Sequence, residues 1–205
     1  MMEQVHWLGH AGIKITGSRT VYVDPYLIAG RQTADLILIT HDHYDHLSRE
    51  DIKKIHGDET VIVVPKSMGS RLPGHVEEVS PGDTLTLQGV KIQVVPSYNI
   101  GKPFHPKEKR NVGYVFTLDK IAYYHAGDTD RIPEMKSIRA DVAFLPVGGT
   151  YTMSAAEAAA AAADIEPKVA VPIHWGSVTG SSQDAQDFKR LGKCEVRILE
   201  PDSES

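Results

Sequence analysis

The chain has 205 residues, of which 41% are hydrophobic and 24% charged, with a formal net charge of −5. This ordinary globular mixture excludes disordered and fibrous classes, and the length suits one domain spanning 1–205, without room for a second catalytic one. The acidic balance argues against nucleic acid as a partner, because neutralising phosphates needs concentrated Lys and Arg.

The start, Met1-Met-Glu-Gln-Val-His-Trp7, lacks the basic end and apolar run of a secretory leader. No stretch has the length of a membrane span, so a cytoplasmic protein with no membrane partner is expected. Short β-rich runs are predicted over Val5–Leu8, Gly12–Thr16, Thr20–Val23, Leu36–Thr40 and Thr60–Val64. Ser48-Arg-Glu-Asp51 has capping-box spacing and opens a helix. Strands follow over Thr84–Leu87, Val90–Val95, Gly113–Leu118 and Ile121–His125, with Leu118-Asp-Lys120 as a hairpin tip. After a strand over Val142–Pro146, Ser154-Ala-Ala-Glu157 caps an alanine-rich helix, whose small side chains let it lie close against a neighbour. The chain ends with a strand over Val169–Ile173, a helix over Ser182–Leu191 closed by Gly192, and a strand over Val196–Leu199. The lone Cys194 excludes an internal disulfide, and its place in the Cys194-Glu-Val-Arg-Ile-Leu199 alternation makes it a structural strand position with no chemical role. Strands interrupted by helices along one chain predict a layered α/β architecture of two face-to-face sheets with helices outside.

Ten histidines are the unusual feature. Directly after the apolar run Leu36–Ile39 stands Thr40-His-Asp-His-Tyr-Asp-His-Leu47. Side chains alternate on a strand end, so His41 and His43 point the same way, and the following turn brings Asp45 and His46 to a neighbouring point. That arrangement suits two cations about 3.5–4 Å apart, as in two-metal hydrolytic sites. A solvated polar loop has no reason to place three histidines and an aspartate there.

This His-x-His-x-Asp-His loop resembles the signature of the metallo-β-lactamase superfamily, and other motifs arrive in that family's order. Val21-Tyr-Val-Asp-Pro25, His125-Ala-Gly-Asp-Thr129 and Pro172-Ile-His-Trp175 are similar to its first, fourth and fifth motifs. Trp7-Leu-Gly-His-Ala-Gly12 and Pro146-Val-Gly-Gly-Thr-Tyr-Thr-Met153 resemble, more narrowly, the small metal-dependent hydrolases related to ascorbate-6-phosphate lactonase. The resemblance implies an αββα four-layer sandwich of two mixed β-sheets flanked by helices. It also implies two divalent metals, with His174 on the second and Asp128 bridging both, and catalytic roles for Asp45 and Asp128. Asp24 would support the histidine loop from behind, and His10 and His125 are expected behind the ligands rather than among them. Imidazole-rich coordination favours zinc, although manganese and iron accept similar ligands.

One position departs from the family pattern. Relatives carry a histidine after the strand corresponding to Ile92–Pro96, where this chain has Ser97-Tyr-Asn99. Asparagine is a poor substitute for imidazole on zinc, and Gly101 and Pro103 can turn the chain, so His105 is expected to complete the first site. The segment Lys102–Arg110 places four cations in nine residues and predicts a pocket favouring a small anionic substrate. Lys102, Asn99, Tyr151 and Trp175 are the expected substrate contacts. The expected activity is hydrolysis of an ester-type bond, either a lactone or a phosphoester. The competing readings are a phosphodiesterase or nuclease of the same fold and a non-catalytic metal-binding regulator; the oligomeric state is left open.

Overall fold

The computed structural model describes residues 1–30, 32–70 and 72–202. Among them, one sheet has six strands in the spatial order β1 (Val5–Gly9), β2 (Gly12–Thr16), β3 (Thr20–Val23), β4 (Leu36–Leu38), β5 (Val61–Pro65) and β6 (His75–Val79). The other has seven: β7 (Thr84–Leu87), β8 (Val90–Pro96), β9 (Val112–Leu118), β10 (Ile121–His125), β11 (Val142–Pro146), β12 (Val169–Ile173) and β13 (Glu195–Val196). Each sheet begins as an antiparallel meander and then turns parallel, the first from β3 to β6 and the second from β10 to β13.

Local chemistry explains that change. The β9–β10 hairpin closes through Asp119 and Lys120, both at positive φ (50° and 66°), the backbone that matches the twist of paired strands. Parallel neighbours instead need crossovers, supplied by α1 (Arg49–Ile55) between β4 and β5, α2 (Ala155–Ile165) between β11 and β12, and α3 (Ser182–Leu191) between β12 and β13. Ser48 caps α1 through the Asp51 amide, and both Ser154–Glu157 and Ser181–Asp184 form reciprocal capping boxes.

Alternation along the strands makes the layers. Val21, Val23, Leu36 and Leu38 face Val94, Tyr114, Phe116 and Phe144 between the sheets. Their neighbours Tyr22 and Ile37 face outward, onto Ile52 and Ile55 of α1. On the opposite side, Tyr124, Ala143 and Leu145 pack beneath Ala158, Ala162 and Ile165 of α2 and Phe188 of α3. The result is the αββα sandwich expected from the sequence.

Three boundaries differ from expectation. Strand β6 was not predicted: His75-Val-Glu-Glu-Val79 sits at the sheet edge, where only one side is paired and charged side chains are tolerated. Strand β4 stops at Leu38, before the polar loop begins. The last strand is confined to Glu195–Val196, and the chain beyond it bridges Pro201 to Trp7 of the other sheet. No helix among the described residues is long and apolar enough to cross a membrane.

Candidate metal centre

Strands β1, β3 and β4 run in one direction, as do β8, β10 and β12 in the second sheet. The polar residues follow their C-terminal ends. His10 follows β1, Asp24 follows β3, and Thr40–Leu47 follows β4; Asn99 and His105 follow β8, Asp128 follows β10 and His174 follows β12. Three of these adopt left-handed backbone: His10 (φ 48°), Asp24 (φ 46°) and His174 (φ 60°). Such a conformation costs a non-glycine residue on the order of 1 kcal/mol and persists where surrounding bonds impose it. Here the His174 amide donates to the His10 carbonyl at 2.7 Å, and the Asp24 amide donates to the Leu38 carbonyl at 3.0 Å. Gly148 allows the close approach, since a Cβ there would meet the His174 carbonyl at 2.6 Å.

Two sets of four donors result, each set's atoms lying within 4.8 Å of one another: His41, His43, His105 and Asp128, and His10, Asp45, His46 and His174. Asp128 stands between them. Its Oδ2 is 3.3 Å from His105 Nε2, 3.1 Å from His174 Nε2 and 3.8 Å from His41 Nε2, and its Oδ1 is 3.4 Å from His46 Nε2.

The ring nitrogens pointing away from Asp128 are anchored. His46 Nδ1 donates to Asp24 Oδ2 at 2.7 Å. Thr40 Oγ1 donates to that same oxygen at 2.6 Å and so accepts from His41 Nδ1 at 3.0 Å. Asn99 Oδ1 accepts from His105 Nδ1 at 3.0 Å. Each bond puts the proton on Nδ1 and leaves the Nε2 lone pair facing inward, the tautomer a metal ligand requires.

Burial and charge act on this cluster in opposite senses. Burial holds His41 well below the ordinary imidazole range and His10 and His105 below it. Burial also lowers His46, but the Asp128 and Asp24 carboxylates outweigh it and raise that ring well above its usual value. Burial would raise Asp128, yet His174 and His46 hold it well below the usual carboxylate range. Asp45 is likewise lowered, since its bond to His10 and the charge of His46 overcome its burial.

The donors fit divalent cations. His41 Nε2 lies 3.1 Å and His105 Nε2 3.3 Å from His43 Nδ1, so imidazole nitrogens converge on one another, which is favourable with a cation or proton between them. His46 Nε2 and Asp128 Oδ1 are buried without a hydrogen-bond partner. Nitrogen and carboxylate donors in two groups of four match the coordination preferred by zinc and its neighbours.

Other residues singled out in the sequence are placed differently. Asn99 holds His105, and its Nδ2 donates to Asp130 Oδ1 at 3.2 Å and the Tyr151 carbonyl at 2.9 Å. Lys102 turns away to the same Asp130 oxygen at 2.7 Å and the Thr152 carbonyl at 2.6 Å. Trp175 stacks on Trp7 with ring centroids 4.6 Å apart. His125 is buried and reaches the Ala11 carbonyl at 2.8 Å, tying the two sheets together. His10, expected behind the ligands, bonds one of them, its Nε2 2.9 Å from Asp45 Oδ2, and also lies within reach of the second donor set. Tyr151 lines a cavity of about 490 Å³ over the cluster, together with Tyr44, Phe104 and Val178, three residues the sequence did not mark.

The four layers and the His/Asp cluster at one end of both sheets define a metal site on the metallo-β-lactamase fold. Residues 4–174 match the family model described as the beta-lactamase superfamily domain. The chain is 35% identical to a UPF0173 metal-dependent hydrolase of Methanopyrus kandleri across 97% of each chain. It is also 35% identical to one of Pyrococcus horikoshii across 99% of each. A crystal structure from Parabacteroides distasonis, assigned as a metal-dependent hydrolase, superposes with a TM-score of 0.85 at 35% identity over 97% of this chain and 93% of that one. The chain therefore belongs to the beta-lactamase superfamily, among the UPF0173 metal-dependent hydrolases.

Proposed function

We propose that this protein is a binuclear zinc hydrolase that cleaves an ester-type bond, a lactone or a phosphoester, in a small molecule. The observation that carries this reading is the Asp128 carboxylate set between two donor groups, with oxygens 3.1–3.4 Å from imidazoles of both. His41, His43 and His105 would hold the first ion, Asp45, His46 and His174 the second, and Asp128 both. When bound, two such cations lower the pKa of a shared water toward neutrality and polarise the scissile bond.

The chain's own residues supply orientation. Thr40, Asp24 and Asn99 fix the rings of His41, His46 and His105. His10 holds Asp45 Oδ2, leaving the rest of that carboxylate at the cavity wall to orient the attacking water's proton. Asp128 and His174 are themselves buried but line the floor of the cavity, so a substrate and water can reach them from its mouth.

Elemental analysis of the purified protein, followed by lactone, carboxylic ester and phosphodiester substrates, tests the proposal. About two divalent ions per chain are expected, with zinc restoring turnover after chelation. Asp45→Ala should chiefly empty the second site, and Asp128→Ala should weaken both. Full occupancy in Asp128→Ala would refute the bridging assignment. Bound metal without turnover on any substrate would favour a metal-binding regulator.

A further inference from the structure

Eight large apolar side chains are exposed among the described residues, and four of them, Tyr44, Phe104, Tyr151 and Val178, line the cavity over the metal cluster. They come from four loops, after β4, β8, β11 and β12, so both sheets contribute. Their exposure is between 37 and 66%. The Phe104 and Tyr151 rings meet edge to face with centroids 4.7 Å apart, and Tyr44 meets Tyr26 in the same way at 5.9 Å. Exposed apolar side chains scattered singly call for no explanation, but a cluster at the mouth of a polar site marks a binding surface.

The charges at that mouth matter as much. Asp45 and Asp128 are engaged as metal ligands in the reading above, and the rest of the cavity lining adds Asp42 and no Lys or Arg among the described residues, so no side-chain cation is placed there to bind an anionic group on the substrate. Lys102 is bound to Asp130, and Lys107 to Glu134 at 3.2 Å while lying over the Tyr98 ring. Two of the four cations in the segment that predicted an anionic substrate are thus engaged away from the cavity, and neither Lys109 nor Arg110 lines it.

We infer that the substrate is a neutral ester or lactone whose apolar acyl or aryl group packs against Tyr44, Phe104, Tyr151 and Val178. The inference rests on the hydrolase reading above and specifies its substrate. The acyl carbon–oxygen bond breaks, water gives its hydroxyl to the acyl carbon and a proton to the leaving oxygen, and an ester releases an acid and an alcohol while a lactone opens to a single hydroxy acid. A cavity of about 490 Å³ has room for a medium-length chain or a ring beside the metal cluster.

The test uses the metal-loaded full-length chain with 4-nitrophenyl acetate, butanoate and hexanoate, and with an ester of hexanoate length ending in a carboxylate. The expected kcat/KM rises about threefold per added methylene, as transfer of apolar surface into a partly open pocket requires, and the carboxylated ester is about tenfold poorer than hexanoate. Tyr44→Ser, Phe104→Ser and Tyr151→Ser together should flatten that dependence on chain length. Tyr44→Ser alone should reduce it, and its 66% exposure makes this single change safe for folding. A second readout is calorimetric binding of the uncleaved amide N-phenylhexanamide, which should show a negative heat-capacity change and weaken about tenfold in the triple variant. A flat chain-length dependence in the native protein, preference for the carboxylated ester, or amide binding indifferent to the three substitutions would overturn the inference. If no ester were cleaved but the amide bound with the expected dependence on those residues, the apolar site would stand and the hydrolase reading would fall.

Discussion

At the scale of single residues, the first donor set depends on a division of labour between Asn99 and His105. Asn99 Oδ1 accepts from both the backbone amide and Nδ1 of His105, each at 3.0 Å, while the Asn99 amide donates to the His105 carbonyl at 2.8 Å. His105→Ala should therefore remove the first ion, whereas Asn99→Ala should leave it bound with affinity about 10–100-fold weaker, the usual effect of losing a group that orients a ligand. Competition with a chelator would measure this, and first-ion loss only in the asparagine variant would reverse the two roles. His41, His43, Asp45 and His46 were legible in the sequence as four donors within six residues directly after an apolar run, although the strand ends at Leu38 and the loop itself, not strand alternation, sets their directions. Lys102 was not: its charge is visible in the sequence, but its partner Asp130 lies in another loop. His10 was marked as a supporting residue, but which ligand it supports could not be read, since that depends on a left-handed backbone and on Asp45, far away in the chain.

Among the elements, α2 shows how residue size sets packing. Ala158, Ala161 and Ala162 are buried beneath Leu145 and Ala143, while Ala156 faces solvent. Ala158→Leu should overpack this contact and destabilise the fold by about 1–3 kcal/mol, whereas Ala156→Leu should change stability by less than about 0.5 kcal/mol. Urea midpoints at unchanged m-value would separate them, and equal effects would contradict the buried face. The capped start and alanine content of α2 could be read directly, as could the strands whose alternate residues meet between the sheets. Strand β6 escaped because His75-Val-Glu-Glu-Val79 lies on an edge, with little burial to impose a pattern. Pairing between the two sheets at Trp7 and Pro201 escaped because a single bridge leaves no periodic trace.

For the whole molecule, proton uptake ties the site to stability. Burial holds His10, His41, His105 and His125 below the ordinary imidazole value of 6.5, so the folded chain refuses protons that the unfolded chain accepts. Their contribution is present above about pH 6.5 and is lost as pH falls from there toward their folded values. His46 has the opposite sign: despite burial, Asp128 and Asp24 raise it, so its contribution is complete below about 6.5 and disappears as pH rises through its folded value. Below about pH 6.5 the His46 contribution is already complete while the four lowered rings are still losing theirs, so the metal-free protein should melt at progressively lower temperature between about pH 6.5 and 5.5. A constant or rising melting temperature over that range would contradict the lowered values of His10, His41, His105 and His125.

Each donor set draws on both sheets, His41 and His43 with His105 and Asp128 in one, and His10, Asp45 and His46 with His174 in the other. An ion held in either set would therefore fasten together parts of the chain that synthesis delivers far apart in time. With the ions bound, opening one sheet requires releasing donors of the other, so the halves should unfold as a single cooperative unit. Without them, only the shared apolar interior and a few cross-sheet bonds, such as His125 to the Ala11 carbonyl, couple the two halves, and each becomes freer to open by itself.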